Sequence, residues 1–231
     1  MASEIQIEPF LITDIREAVH VAEVSFVALN RLLYTSSLSP KSIDTMVAQR
    51  EASFSEPYAK AFKAVDPATG KLVGLARWAV FAEDQEVDKS IEEIVEARLG
   101  PDIPERRDEV AKEIYTSIQL GKRELLGVGA LDSNEKGIKL RKRVELEGIC
   151  VHPDYQGKGI AKRLLAWGIA EAERLGVDVY LEATEAGRPV YERMGFQTLK
   201  EVNLVCEGIG ESRITFMILP TKAVAAVNRV I

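Results

Sequence analysis

VELEGICVHPDYQGKGIAKRLL, residues 144–165, holds a strand, a glycine-bearing loop and the start of a helix in immediate succession. Over Val144–Val151 the residues alternate and branched side chains are frequent, with Leu146, Ile149 and Val151 marking an extended strand that Pro153 stops. From Ile160 the period changes. Ala161, Leu164, Leu165, Gly168, Ala172 and Leu175 fall at helical steps until Gly176 ends the run. The loop HPDYQGKG therefore delivers a helix N-terminus beside the end of a strand.

That geometry predicts an anion seat. The first turn of a helix has backbone N–H groups without internal partners and carries the positive end of the peptide dipole. Gly157 and Gly159 lack a Cβ and allow close approach of backbone to a phosphate, and Lys158 and Lys162 add positive charge on the same rim. The spacing fits neither the G-x-G-x-x-G dinucleotide fingerprint nor the G-x-x-x-x-G-K-[ST] loop. Pyrophosphate is the natural guest.

The string Val151-x-Pro153-x-x-Gln156-Gly157-x-Gly159-x-Ala161 resembles the pyrophosphate-binding signature of the GNAT superfamily of acyl-CoA-dependent N-acyltransferases. Pro189-Val-Tyr191-Glu-Arg-Met194-Gly195-Phe196 resembles the later signature of that family, and the two occur in the family's order. The resemblance covers residues 5–220 and is firmest over 144–200. It implies an α+β (α/β three-layer) fold, with a mixed, mostly antiparallel central sheet of about seven strands flanked by helices. It also implies acetyl-CoA as cosubstrate, held by the main chain of Ile149, Cys150 and Val151 and by Gln156, Gly157, Lys158, Gly159, Ile160 and Ala161. Tyr191 matches the family tyrosine that donates a proton to the CoA sulfur. Where the family often places Asn after the fifth strand, this chain has Thr184-Glu185, so Thr184 is the substitute hydrogen-bonding group.

Composition bounds the remaining choices. The chain of 231 residues is 46% hydrophobic, which suits a globular protein, and a single domain over 1–231 is expected. No run approaches the roughly 20 apolar residues of a membrane span, and MASEIQIEPF has neither a basic start nor an apolar signal segment, so a cytoplasmic enzyme with no membrane partner is expected. A net charge of -6 argues against nucleic acid as a partner. Cys150 and Cys206 lie in apparent strands, the place of small core residues rather than a disulfide, and two histidines with two cysteines furnish no metal-site spacing. Monomer and homodimer both remain open.

Taken in order, Glu4–Phe10 reads as a first strand, Thr13-Asp14 caps a helix from Ile15 to Leu32, and Pro40 opens a second helix running to Phe54. By resemblance this helix pair flanks the acceptor site, making Phe26, Asn30 and Tyr34 candidate acceptor contacts. Tyr58–Val65 and Leu72–Ala82 form a hairpin across Asp66–Gly70. Residues 83–143 are an insertion relative to the family. Ile91, Ile94, Val95 and Leu99 mark one amphipathic helix, and Val110, Ile114 and Ile118 a second, both surface helices with one buried face. Leu131–Lys142 reads as a loop ending in a basic triplet, Arg141–Arg143, either solvated or a contact for the adenosine phosphate of CoA. The insertion enters on the acceptor side, as a lid would. Strands over Val177–Glu182, Phe196–Cys206 and Ser212–Leu219 and a short helix over Ala186–Met194 complete the chain to residue 220.

An N-acyl transfer requires a neutral amine, a fixed thioester carbonyl and a proton for the departing thiolate. Glu145 and Glu147 stand two apart on the strand, hence on one face, and are the candidate general bases, Glu147 first and Glu182 third. The expected activity is transfer of an acetyl group to the primary amine of a small molecule by direct attack in a ternary complex. A protein N-terminal or lysine acetyltransferase and a non-catalytic acyl-CoA-binding module are the alternatives.

Overall fold

The computed structural model describes residues 4–129 and 136–221. Seven strands form the main sheet: β1 (Gln6–Pro9), β2 (Ala59–Asp66), β3 (Lys71–Phe81), β6 (Arg143–Val151), β7 (Asp178–Thr184), β8 (Gln197–Cys206) and β9 (Gly210–Leu219). Their order is β1-β2-β3-β6-β7-β9-β8, and every neighbouring pair is antiparallel except the parallel pair β6–β7. A separate two-stranded sheet pairs β4 (Gln85–Val87) with β5 (Ile138–Leu140). The mixed, mostly antiparallel architecture is the expected one.

The single parallel pair needs a crossover, and α6 (Ile160–Leu175) supplies it. Its apolar stripe of Ile160, Leu164, Leu165, Gly168 and Ala172 packs on Trp78, Val144, Leu146, Val179 and Leu181. The opposite face is covered by α1 (Ile15–Ser25) and by α5 (Asp108–Leu126), which buries Val110, Ala111, Ile114 and Ile118 against Tyr180, Leu204, Ile214 and Phe216. Two glycines set these contacts. A Cβ at Gly168 would lie 2.4 Å from the ring of Trp78, and one at Gly121 would lie 2.2 Å from the ring of Phe216. Each helix meets a fully buried aromatic ring at a position where only glycine leaves room.

Three details differ from the sequence reading. The first long helix is two, α1 and α2 (Val27–Leu33), because Phe26 leaves the helical conformation, and the Asn30 amide donates to the Glu23 carbonyl at 2.8 Å across the break. Ile138–Leu140, read as loop, is strand β5, while residues 130–135 of that reading lie outside the described residues. The basic triplet is not one unit. Arg143 is buried and bonded to Glu145, whereas Arg141 donates to the Leu125 carbonyl at 2.5 Å. Arg143 also begins β6, about 26 Å of extended strand away from the loop that follows Val151, so it is no partner for a phosphate seated there.

The insertion is a packed layer rather than a flap. Beside α5 it contributes α4 (Ile91–Leu99), and it is fastened to α2 and to α3 (Pro40–Ala52). Arg107 donates to the carbonyls of Leu32 and Tyr34 at 2.8 and 2.6 Å, and Glu105 accepts from Ser42 Oγ at 2.6 Å and from the Ser39 N–H at 2.9 Å. Among the described residues no helix is long and apolar enough to cross a membrane. Overpacking a tight core costs about 1–3 kcal/mol. Gly168→Ala and Gly121→Ala should therefore each lower the urea-unfolding free energy by about that amount, with Trp78 fluorescence reporting the displaced ring in Gly168→Ala.

Candidate active site

β6 and β7 are paired only from Arg143–Asp178 to Leu146–Leu181. Beyond that point β7 continues to Thr184 on the far side with β9, and β6 continues to Val151 with β3, so the two strands part. A bulge in β6 marks the parting: Leu146 opposes Trp78 and Gly148 opposes Arg77, leaving Glu147 as the extra residue. Glu147 to Val151 thus have no strand partner on the β7 side, and the gap forms the floor of a cleft of about 2390 Å³. Ile149, Cys150, Thr184 and Tyr191 all line it.

The HPDYQGKG loop closes one end. It is braced at its stem, where Tyr155 donates its hydroxyl to Asp66 at 2.7 Å and the Gln156 amide and the Ser25 hydroxyl both donate to the Val151 carbonyl at 3.0 Å. Its tip is open. Gly157 and Gly159 have φ of 73° and 77°, the left-handed region that favours glycine, and a Cβ at either would meet nothing within 4 Å. No side chain caps α6 at Gly159, and among the described residues the N–H groups of Gly157 to Ala161 have no acceptor. Ile160 is buried and anchors the first turn, while Lys162 is exposed on the rim. Lys158 departs from expectation: its ammonium donates to the Asp154 carbonyl at 3.0 Å and lies 4.6 Å from the centre of the Tyr155 ring, so only its backbone faces the seat.

Two glutamates on one strand acquire different chemistry. Glu145 is buried between Lys122, to which it is directly bonded, and Arg143, whose Nε donates at 2.8 Å. Burial alone would raise its pKa, but the two cations outweigh it and hold the carboxyl down at about 2. Lys122 also lies 3.4 Å from Glu182. Glu147 is 31% exposed to the cleft and 2.8 Å from Arg77, which it shares with Glu56. Its pKa is raised, mainly because burial among protein groups costs the carboxylate hydration, and Arg77 offsets this only in part.

Tyr191 sits on α7 (Arg188–Arg193) with its ring in edge contact with Phe196, centroids 5.7 Å apart. Burial pushes its pKa well above that of a free phenol. The hydroxyl bonds to no described residue and is not sealed from the cleft. Thr184 accepts the Gly187 N–H at 3.2 Å, which brings α7 against the end of β7. Cys150 packs against Ala18 and Val21, and burial raises its thiol to about 12, far from a reactive thiolate. Phe26, Asn30 and Tyr34 line the cleft opposite β6, as do Arg98, Tyr115 and Lys122 of the insertion and Arg50 of α3. Sequence reading missed these last four and Arg77. The available signals were Arg77 inside the apolar run LVGLARWAVF and Lys122 four residues after Ile118 on the apolar stripe of α5.

A strand gap beside a helix N-terminus with free N–H groups offers an unpaired backbone edge and a cluster of anion-binding donors in one cleft. Residues 89–196 match the family model of the acetyltransferase (GNAT) family. A 44-residue stretch is 43% identical to the Ajellomyces capsulatus protein named "Probable acyltransferase SID5", a match that spans 19% of this chain and 32% of that protein. The fold is similar to that of an N-acetyltransferase from Staphylococcus aureus (TM-score 0.53, 16% identity, 94% of this chain and 99% of that one). It is also similar to that of YncA from Salmonella typhimurium, solved with its cofactor acetyl-CoA (TM-score 0.52, 17% identity, 94% of each chain). Residues 89–196, just under half of the chain, thus resemble the GNAT family.

The Glu145 pair gives a stability signature. A carboxyl held at about 2 when folded, against an ordinary value of 4.5, contributes stability that is fully present above 4.5 and is lost as pH falls toward 2. Glu145→Gln leaves Arg143 without its anion and Lys122 with Glu182 alone, and should cost about 3 kcal/mol or more at neutral pH. In urea titrations the variant's stability should then fall less steeply than the wild type's between pH 4.5 and 2.

Proposed function

We propose that the protein is an N-acetyltransferase that carries the acetyl group of acetyl-CoA to the primary amine of a small molecule, by direct attack in a ternary complex. The observation that carries this reading is the convergence of three features on one cleft. These are the parted β6–β7 edge, the uncapped N-terminus of α6, and the unbonded hydroxyl of Tyr191. The residues present fit acetyl-CoA: the N–H groups of Gly157 to Ala161 suit the pyrophosphate, and the free backbone edge of Glu147–Val151 suits the amides of the pantetheine arm. When bound, acetyl-CoA supplies an acyl thioester whose thiolate leaves on attack.

The chain's own groups supply the rest. The β6 backbone past the bulge offers an N–H to the carbonyl oxygen, where negative charge develops. Glu147 takes the proton of the attacking amine, directly or through water, since its raised pKa makes it a better acceptor than an ordinary carboxylate. Glu145, held at about 2 and bonded to two cations, is the weaker base and serves to fix Lys122 beneath the strand. Tyr191 stays protonated throughout the neutral range and donates to the departing sulfur.

An acetyl-CoA thiol-release assay across amine classes tests this. General acid–base groups contribute about a hundredfold or more, so Tyr191→Phe should lower kcat by roughly that factor with little change in the affinity for CoA. Glu147→Gln should flatten the acidic limb of the kcat/KM profile, which in the wild type is shifted upward from the ordinary glutamate value. Full turnover by Tyr191→Phe would remove the donor role.

A further inference from the structure

Several charged side chains of the cleft are matched in pairs. Arg77 holds Glu56 and Glu147, and Lys122 holds Glu145 and Glu182. Arg106 bonds to Asp108 at 2.6 Å and donates to the Leu99 carbonyl at 2.8 Å. Arg50 and Arg98 have no carboxylate within ion-pair distance among the described residues, although both face the same cavity. Arg98 lies 4.4 Å above the ring of Tyr115, and the electrostatic neighbours of Arg50 are Tyr34, Cys150, Tyr115 and Arg77. Two guanidiniums and two phenols thus gather at one wall, and neither phenol donates its hydroxyl to a described residue.

Arg50 is open to the cleft yet surrounded by protein, and the loss of hydration lowers its pKa. A guanidinium that lines a cleft and has no anion of its own is stabilised when an anion arrives. Its fork matches a carboxylate, and phenol hydroxyls complete the oxygen's bonds. The anion is not the pyrophosphate, whose seat is at Gly157–Ala161. Arg50 has Cys150 and Arg77 among its electrostatic neighbours, which places it toward the middle of β6 and β3, where Arg77 in turn pairs with Glu147.

We infer that Arg50, with Tyr34, Tyr115 and Arg98, binds a carboxylate of the acceptor, so that the acceptor is an amino acid or a compact amino carboxylate whose amine is directed to Glu147. This rests on the acetyl-transfer reading for the amine's role, while the carboxylate site stands on binding alone. The residues come from the C-terminal end of α2, from α3 and from α4 and α5, so the 83–143 segment supplies two of the four.

The test is calorimetric titration of the protein–CoA complex with each proteinogenic amino acid and with its carboxamide, for wild type and Arg50→Gln. At least one amino acid should bind saturably to the wild type, its carboxamide at least tenfold more weakly, and Arg50→Gln should lose most of that difference. Arg50→Lys should recover part of it. An unchanged melting temperature controls for folding, since Arg50 has no partner to strand. Equal binding of acid and amide, undiminished discrimination in Arg50→Gln, or no amino acid binding at all would overturn the inference. Carboxylate-dependent binding without thiol release in the assay above would leave the carboxylate site standing and overturn the transferase reading instead.

Discussion

The parallel pairing of β6 and β7 lasts four residues and then fails, and the site depends on that failure. Parallel strands in a sheet normally stay together because each buried N–H and C=O needs a partner. Here the partners are withdrawn on purpose-built terms. The bulge at Glu147 adds a residue to β6 alone, which bends the strand and increases its twist, while β7 keeps straight against β9. The freed backbone groups are tolerated because the gap opens into a wide cleft rather than into core. The crossover between the same two strands must begin at the end of β6, so the N-terminus of α6 necessarily stands at the mouth of the gap. One topological choice supplies both a free strand edge and a free helix N-terminus in the same cleft.

The two glutamates show how that geometry divides labour. They lie two apart on one strand, yet the first is enclosed with Lys122 and Arg143 and the second stands at the bulge with a share of Arg77. The enclosed one is pinned in its ionised form, and the other is moved toward neutrality. Environments that push paired carboxyls apart in this way separate a structural anion from a proton acceptor.

The local parts of this arrangement were legible in the sequence. Glycines at 157 and 159, the change of period at Ile160 and the strand before them are all written within twenty-odd neighbouring residues, and local conformation is what such patterns encode. The bulge was not legible, because it is a relation between β6 and β3. Nor was the fate of Glu145, whose partner Lys122 lies 23 residues upstream on another element. β4 and β5 were missed because three-residue strands show no period. Arg50 is one charged residue in the helix that Pro40 opens and nothing in its sequence neighbours singles it out; only the tertiary fold brings Tyr34 and Tyr115 to it.

The segment from 83 to 143 is part of the core rather than an appendage to it. A lid is a flap that can be exchanged without loss of the fold, but α5 covers Tyr180 and Phe216 on one whole face of the sheet. Its connection to α4 is also bonded through Glu105 and Arg107 into α2 and α3. The same helix that completes the core presents Tyr115 and Lys122 to the cleft. Positions on its buried stripe are therefore constrained by packing, whereas Arg98 is exposed at the cavity and lies over the ring of Tyr115, itself only partly buried against that core. Divergence in acceptor choice has room to act at such positions, where a side chain can change without reopening the layer behind it.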